Sequence, residues 1–288
     1  MQSWMARVNR ITSILKQTVP PCVTTLSREM ELFVGSEHSR LYQKHRPAYP
    51  SSLYQFIADF CKTGTGSLDS AVDVGCGTGL STRPLCEHFR HVIGVDVSET
   101  QIKMAREAHA QTNLSFEVSE AERLAFMHDA STDLVTVAQA IHWIDQEPFY
   151  KEVERILKPG GSLIVYGYGN CVLDNDKGNQ VIQRFYRHDL HGYWDSRRRH
   201  IDNLCQEVRL PFPGWTRNSD FVIQYRWTAA EVVGYLSTWS AWQSYLKQNP
   251  ESHLLRDIEE HLRDIYLEQG VTITWPVFLL LGRKAPTS

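Results

Sequence analysis

The chain has no Cys-x-x-Cys pair, and its six cysteines, Cys22, Cys61, Cys76, Cys86, Cys171 and Cys205, fall at no repeated spacing. Neither a zinc site nor a disulfide framework is indicated, and a reducing compartment suits such thiols best. Excess charge of one sign is missing too, since the formal net charge over 288 residues is −3. Proteins that neutralise phosphates normally show a basic surface, so there is no electrostatic case for a nucleic-acid partner. No apolar run approaches the roughly 18 residues of a membrane-crossing helix. Nothing suggests internal repeats or a second independent domain. What is present, 42% hydrophobic and 22% charged residues, suffices to bury one substantial core.

Acidic residues are also missing from the first 28 positions, which carry Arg7, Arg10, Lys16 and Arg28 and are rich in Ser and Thr. That bias resembles a mitochondrial targeting segment. A gene start extended upstream of Met30 accounts for it equally well. Residues 1–30 are expected to form a peripheral or poorly ordered extension. The cytoplasm is the expected compartment, with the mitochondrion as alternative.

The most informative stretch is Val72-Asp-Val-Gly-Cys-Gly-Thr-Gly-Leu80. Ala71, Val72 and Val74 read as a short buried strand, and Gly75, Gly77 and Gly79 give a turn whose backbone N–H groups can approach a ligand. A helix start is expected at Leu80 to Ser81. A second strand, His91 to Val95, ends on Asp96, whose carboxylate can accept both hydroxyls of a ribose. The dinucleotide fingerprint wants Gly-x-Gly-x-x-Gly, and here its last position is Leu80, with Gly79 one step early.

Asp-x-Gly-x-Gly-x-Gly resembles the first motif of class I S-adenosylmethionine-dependent methyltransferases. The resemblance implies an α/β, Rossmann-like fold: a seven-stranded, mostly parallel sheet with helices on both faces and a final antiparallel strand. It also implies S-adenosyl-L-methionine as cofactor, held around Asp73, Gly75, Gly77, Gly79, Asp96 and Val97. Further segments carry the likeness. A third strand, Leu114 to Val118, runs into Ser119-Glu-Ala-Glu-Arg-Leu-Ala-Phe126. By resemblance Glu120 accepts from the adenine amino group and the Ala121 N–H donates to a ring nitrogen. A fourth strand, Asp133 to Gln139, opens into Ala140-Ile-His-Trp-Ile-Asp145, where Gln139 lies near the methionine part and His142 and Trp143 face the acceptor. Leu157-Lys-Pro-Gly-Gly161, after a helix with Asp145 as N-cap, precedes a fifth strand over 163–166. Tyr42-x-x-x-Arg-Pro-x-Tyr-Pro50 is similar to an N-terminal lid in which Tyr42 closes over the cofactor. Within the type 11 superfamily, Ala-x-His-Trp resembles small-molecule members such as the trans-aconitate and juvenile-hormone-acid methyltransferases.

The domain is expected over 31–284, with a cofactor core at 70–167, a substrate cover at 168–220 and C-terminal helices and strands at 221–284. The cover contains Tyr193-Trp194 and Arg197-Arg-Arg199. Guanidinium groups pair bidentately with carboxylates, so Tyr193, Trp194 and Arg197 are read as acceptor-binding, while at least two of the three arginines belong to a solvated face. His188-x-x-His191 beside Asp189 lacks further ligands at useful spacing for a metal. Thr228 to Gln248 reads as one helix capped through Glu231, with Trp239 packing within the fold, and Glu251 to Gln269 as another. Phe221 to Trp227 and Val271 to Leu281 are the expected last strands.

The function so implied is methyl transfer to a small molecule, most readily a carboxylic acid, by a monomer or homodimer. In-line displacement asks mainly for placement, worth about 7 to 11 kcal/mol when reactants are well oriented. A carboxylate needs no general base. A phenol or ammonium acceptor would, and His142 is the candidate. A dinucleotide-dependent oxidoreductase and a non-catalytic cofactor-binding protein are the alternatives.

Overall fold

The computed structural model describes residues 45–267 and 269–286. The expectations for the basic extension and for Tyr42 lie outside these residues.

The sheet is built first from the parallel strands β1 (Ser70–Val74), β2 (His91–Asp96), β3 (Leu114–Val118), β4 (Thr132–Ala138) and β5 (Leu157–Tyr168), in the spatial order 3-2-1-4-5. β4 is buried along its whole length, as expected of a central parallel strand covered on both faces. Alternate residues feed two separate cores. On one face Leu134, Ile164 and Tyr166 meet Leu53, Tyr54 and Ile57 of helix α1 (Ser51–Lys62). On the other, Val135, Val137, Leu163 and Val165 meet Phe149, Val153 and Ile156 of helix α3 (Gln146–Ile156). Helix α2 (Glu99–Ala108) connects β2 to β3, and its N-cap Ser98 accepts from the Gln101 N–H.

Among the described residues the sheet has nine strands where seven were expected, and the C-terminal strand explains the difference. β9 (Val271–Arg283) is thirteen residues long. Along one side it pairs antiparallel first with the two-residue β6 (Val172–Leu173) and then with β5; along the other, first with β8 (Val222–Trp227) and then with β7 (Thr216–Asn218). The expected strand over 221–227 is present as β8, and β6 and β7 are the two strands that were not expected. Between β7 and β8 the Asn218 and Asp220 side chains bond each other, and Asn218 Oδ1 accepts from the Asp220 N–H at 3.0 Å. That local turn competes with the ladder.

The segment after β6 forms helix α4 (Asp176–Arg184), one π-type turn to Asp189 and the short helix α5 (Arg198–Asp202). The expected single helix from Thr228 is two: α6 (Ala229–Ser237) and α7 (Ser240–Gln248), followed by α8 (Leu254–Tyr266). The Thr228–Glu231 capping box is present. The chain breaks at Thr238 because the freed carbonyls find other donors: Gln243 Nε2 takes Ser237 O at 2.7 Å and Arg46 Nη2 takes Thr238 O at 3.3 Å. Nor does a regular helix begin at Ser81; a 3-10 turn runs from Arg83 to Glu87 instead.

Opposite the ligand end, Lys158 of the Lys-Pro-Gly-Gly turn serves the strand starts. The fully buried Asp133 carboxylate accepts from Lys158 Nζ, the Asp69 and Ser70 N–H groups, all at 3.0 Å, and Ser67 Oγ at 2.5 Å. Burial alone raises the Asp133 pKa, but Ser67, Lys158 and the Ser70 N–H outweigh it and leave the carboxyl below its ordinary value. A depressed folded pKa stabilises above the unfolded value, near 4, and the contribution is lost as pH falls through the folded one. Asp133→Ala, which strands four donors, is expected to cost roughly 3 kcal/mol in urea unfolding at pH 7, and less at pH 3. An equal cost at both pH values would contradict this account.

Candidate active site

The crevice lies at the carboxyl ends of β1, β2 and β4, where ligands bind in open α/β sheets. Asp73 does not face it. The side chain is wholly buried, and its oxygens accept from Thr82 Oγ1 at 2.6 Å, Ser81 Oγ at 3.0 Å and Thr136 Oγ1 at 2.7 Å. Burial raises its pKa, and the three hydroxyls counter this. Asp73 therefore shapes the loop from beneath, pulling the residues after the glycines down onto β1 and β4.

Above it, Gly75 and Gly79 are glycines for separate reasons. At φ +70° a Cβ on Gly75 would stand 2.5 Å from Ala140 Cβ, so this residue lets the glycine loop meet the end of β4. Gly79, at φ +82°, abuts His109 and Phe116, with a built Cβ 2.8 Å from each ring. His109 Nε2 also lies 3.0 Å from Thr78 O, so the loop rests on the end of α2. Over Gly77 the space is open, its nearest neighbour being Gln101 Oε1 at 3.9 Å.

Asp96 closes the loop from the β2 side. Oδ2 accepts from the Gly77 N–H and Oδ1 from the Ser98 N–H, each at 2.9 Å. Half-buried, the carboxyl is raised in pKa by burial, opposed by the Ser98, Gly77 and Val97 amides. Each oxygen keeps a further lone pair. Val97 follows it in the chain and Val118 is its register partner on β3; these two leave 51% and 44% of their surface exposed, and Leu80, after the glycines, leaves 41%. Glu120 is exposed and Ala121 half-buried at the exit of β3, which the Ser119 N–H ties to Asp96 O at 3.1 Å.

At the end of β4, Gln139 takes a left-handed backbone with φ +56°. Non-glycine residues adopt this only when the surroundings impose it. Here the Gln139 N–H donates to Tyr166 O at 3.0 Å and its Nε2 to Tyr168 O at 2.9 Å, binding β4 to β5. The chain then enters the 3-10 turn Ile141–Trp143. The rings of His142 and Trp143 lie 4.8 Å apart. Desolvation first, then Arg198 and His200, push the His142 pKa down to about 3, against a smaller opposing effect of Asp195. The imidazole is neutral at pH 7, and its buried Nδ1 finds no hydrogen-bond partner among the described residues.

The cover brings its arginines in, contrary to the expectation that at least two would lie on a solvated face; only Arg199 does. Arg197 stacks on the Trp143 ring at 4.0 Å. Arg198, which the sequence reading did not single out, lies over Trp194 at 5.0 Å, donates from Nε to Tyr186 Oη at 3.2 Å and from Nη2 to Asn170 Oδ1, and pairs with Asp202 at 3.4 Å. Burial raises the Cys171 thiol to about 12, opposed by a backbone hydrogen bond and by the fields of Arg198 and Arg46. Arg46 donates from Nη1 to Tyr168 Oη at 3.4 Å. Trp194 joins an aromatic cluster with Tyr186 and Trp239. Tyr193 turns elsewhere, packing on Tyr245 and reaching Gln248 Oε1 at 3.4 Å, both on α7. No signal in the run of three arginines told which would point inward. Among the described residues no cluster of His, Cys, Asp or Glu could hold a metal ion.

A parallel sheet with a glycine loop, a carboxylate at the end of β2 and a covered turn after β4 defines a class I, Rossmann-like methyltransferase. Comparisons agree. A family model described as a methyltransferase domain matches residues 72–165. A protein of Dictyostelium discoideum described as a methyltransferase is 30% identical over 85% of this chain and 93% of its own length. One of Saccharomyces cerevisiae, described as S-adenosylmethionine-dependent, is 26% identical over 84% and 94%. The solved structure of a type II methyltransferase from Anaeromyxobacter dehalogenans superposes with a TM-score of 0.74 at 29% identity, covering 84% of this chain and 99% of that one. The chain belongs to the S-adenosylmethionine-dependent methyltransferase family.

The glycine contacts separate two substitutions. Gly75→Ala adds a clash with Ala140 to the left-handed penalty and is expected to cost roughly 2–4 kcal/mol, against about 1 kcal/mol for Gly77→Ala. Denaturant unfolding of both variants checks this, and equal costs would contradict it.

Proposed function

We propose that this enzyme methylates a carboxylate oxygen of a small molecule, giving a methyl ester. The observation that carries the reading is the character of the β4–α3 turn. His142 is a buried imidazole that is neutral at pH 7 and too weakly basic, with a pKa of about 3, to take a proton effectively from a phenol or ammonium. The Arg198 guanidinium lies near enough to hold its pKa down further. An acceptor that arrives already ionised suits such a site.

The residues present fit S-adenosylmethionine: the open face over Gly77, the spare lone pairs of Asp96 and the exposed apolar side chains of Val97 and Val118 suit an amino-acid tail, a ribose and a nucleobase. That cofactor supplies an activated methyl group on a sulfonium sulfur. Asp96 would accept the ribose hydroxyls, Val97 would pack on the base, and Glu120 and the Ala121 amide would read its edge. Gln139, locked between β4 and β5, fixes the floor beneath the reacting centre. His142 and Trp143 orient the acceptor and, with the cover, exclude water. Chemistry then depends on alignment. The formal charge of −3 favours a small acceptor over nucleic acid. A cytoplasmic monomer or homodimer is the setting we infer. No helix among the described residues is long and apolar enough to cross a membrane.

Incubation with methyl-labelled S-adenosylmethionine and a panel of carboxylic acids tests the reading, because methyl esters release methanol in alkali and methyl ethers and methylamines do not. Alkali-labile product is expected; alkali-stable label alone would refute carboxylate transfer. With the ester-forming acid, His142→Gln should keep kcat within about 10-fold of wild type, whereas removal of a true general base costs roughly 100-fold or more. His142 should also stay neutral by histidine NMR down to about pH 4. Its suppressed pKa gives stability that is full above the unfolded value near 6.5 and declines as pH falls toward the folded one.

A further inference from the structure

We propose that Arg197 is a positioning residue which, through the indole of Trp143, latches the cover segment onto the acceptor turn and so holds His142 in place. The inference rests on the reading of the β4–α3 turn as the acceptor side. Three consecutive arginines enter α5, and successive helical residues point about 100° apart, so they cannot share a task. Arg199 is exposed. Arg198 is held by Tyr186, Asn170 and Asp202 within the cover itself. Arg197 is the one that crosses to another element.

Its geometry is that of a built contact. The Arg197 guanidinium carbon stands 4.0 Å from the Trp143 ring centroid, well inside the roughly 6 Å limit for such attraction. Asp195 orients it through Oδ1 to Nε at 3.0 Å and Oδ2 to Nη2 at 3.4 Å, and the same Oδ1 accepts from the Arg197 N–H at 2.8 Å. With its side chain only 26% exposed, Arg197 is more shielded than a surface ion pair. A two-point carboxylate clamp fixes the plane of the guanidinium, and a planar cation lies flat on an indole face as an ammonium cannot. Trp143 in turn packs on His142. The order of transmission is Asp195, Arg197, Trp143, His142. The charged groups that face His142 are Arg198 and His200 from α5 and Asp195 before it; Arg197 acts on it by contact, through the ring between them.

Guanidinium contact with Trp143 uses the residue that would otherwise be read as an acceptor-binding arginine. Opening the latch frees the N-terminus of α5 and admits water to the His142 turn without touching the glycine loop, which is fastened by Asp73 and Asp96.

The test uses the full-length protein and needs no acceptor. Hydrogen exchange across residues 195–202, His142 titration by NMR and S-adenosylhomocysteine affinity are measured for wild type, Trp143→Leu, Trp143→Phe, Arg197→Met and Arg199→Met. Trp143→Leu keeps every charge yet removes the shelf. It is expected to speed exchange of that segment roughly tenfold and to move the His142 pKa from about 3 toward 6.5, with S-adenosylhomocysteine affinity kept within about 3-fold. Arg197→Met should match it, Trp143→Phe should restore most of the protection, and Arg199→Met should do nothing. Unchanged exchange and titration in Trp143→Leu would overturn the latch. A titration moved only by Arg197→Met would do the same, since it would mark a direct charge effect. Affinity lost in step with the latch would also overturn it, because the damage would then reach the cofactor loop. Failure of wild type to bind S-adenosylhomocysteine would instead strike the cofactor reading and leave the exchange comparison standing.

Discussion

A carboxylate buried without a cation organises this enzyme. Asp73 sits at zero exposure at the end of β1, and three hydroxyls, from Ser81, Thr82 and Thr136, take the place of a counter-charge. Such a group costs free energy unless every lone pair is used. Using them draws the strand-to-helix turn down onto two adjacent strands at once. The left-handed glycines above can then bring their backbone close to Asp96 and Ala140, and the loop becomes a fixed cradle. Remove that anchor and the geometry that lets Asp96 meet the Gly77 N–H has no support from below.

From this anchor the site divides into two halves made of different physics. The donor half belongs to the sheet: hydrogen bonds from the Gly77 and Ser98 amides to Asp96, and from Gln139 to Tyr168, set positions to within a bond length. The acceptor half is assembled from side chains on separate segments. Its contacts are aromatic packing among Tyr186, Trp194 and Trp239 and guanidinium stacking on Trp143. Stacked contacts of this kind tolerate sliding and reopening better than a parallel ladder does. A rigid donor side and a cover that can be remade suit an enzyme family in which one cofactor serves many acceptors.

The sequence was most legible where period and turn chemistry act locally. β3 runs from Leu114 to Val118 as expected, and β2 ends on Asp96. The sheet order follows from strand and helix alternation. Long-range contacts account for what was not legible. The break at Thr238 depends on Arg46, far off in the chain, capturing a carbonyl that an uninterrupted helix would have kept. The short strand β7 was not legible because Thr216-Arg-Asn218 is polar and gains its place only by pairing with β9, ahead of a local Asn218–Asp220 turn. In the site, the glycines and Asp96 were readable because backbone geometry demands them. Arg198 and Arg197 were not separable, since three identical residues differ only in where α5 points them. Asp73 was read as a ligand contact, and its burial beneath the loop assigns it the shaping of that loop.

The central claim, a nucleoside pocket closed by Asp96, is tested most directly by calorimetric titration of the full-length protein with S-adenosylhomocysteine, comparing wild type with Asp96→Ala. The account predicts saturable one-site binding by wild type and a loss of roughly 30-fold or more in the variant, the worth of about 2 kcal/mol in charged hydrogen bonds. A folded wild type that binds nothing, or a variant that binds as tightly as wild type, would contradict it.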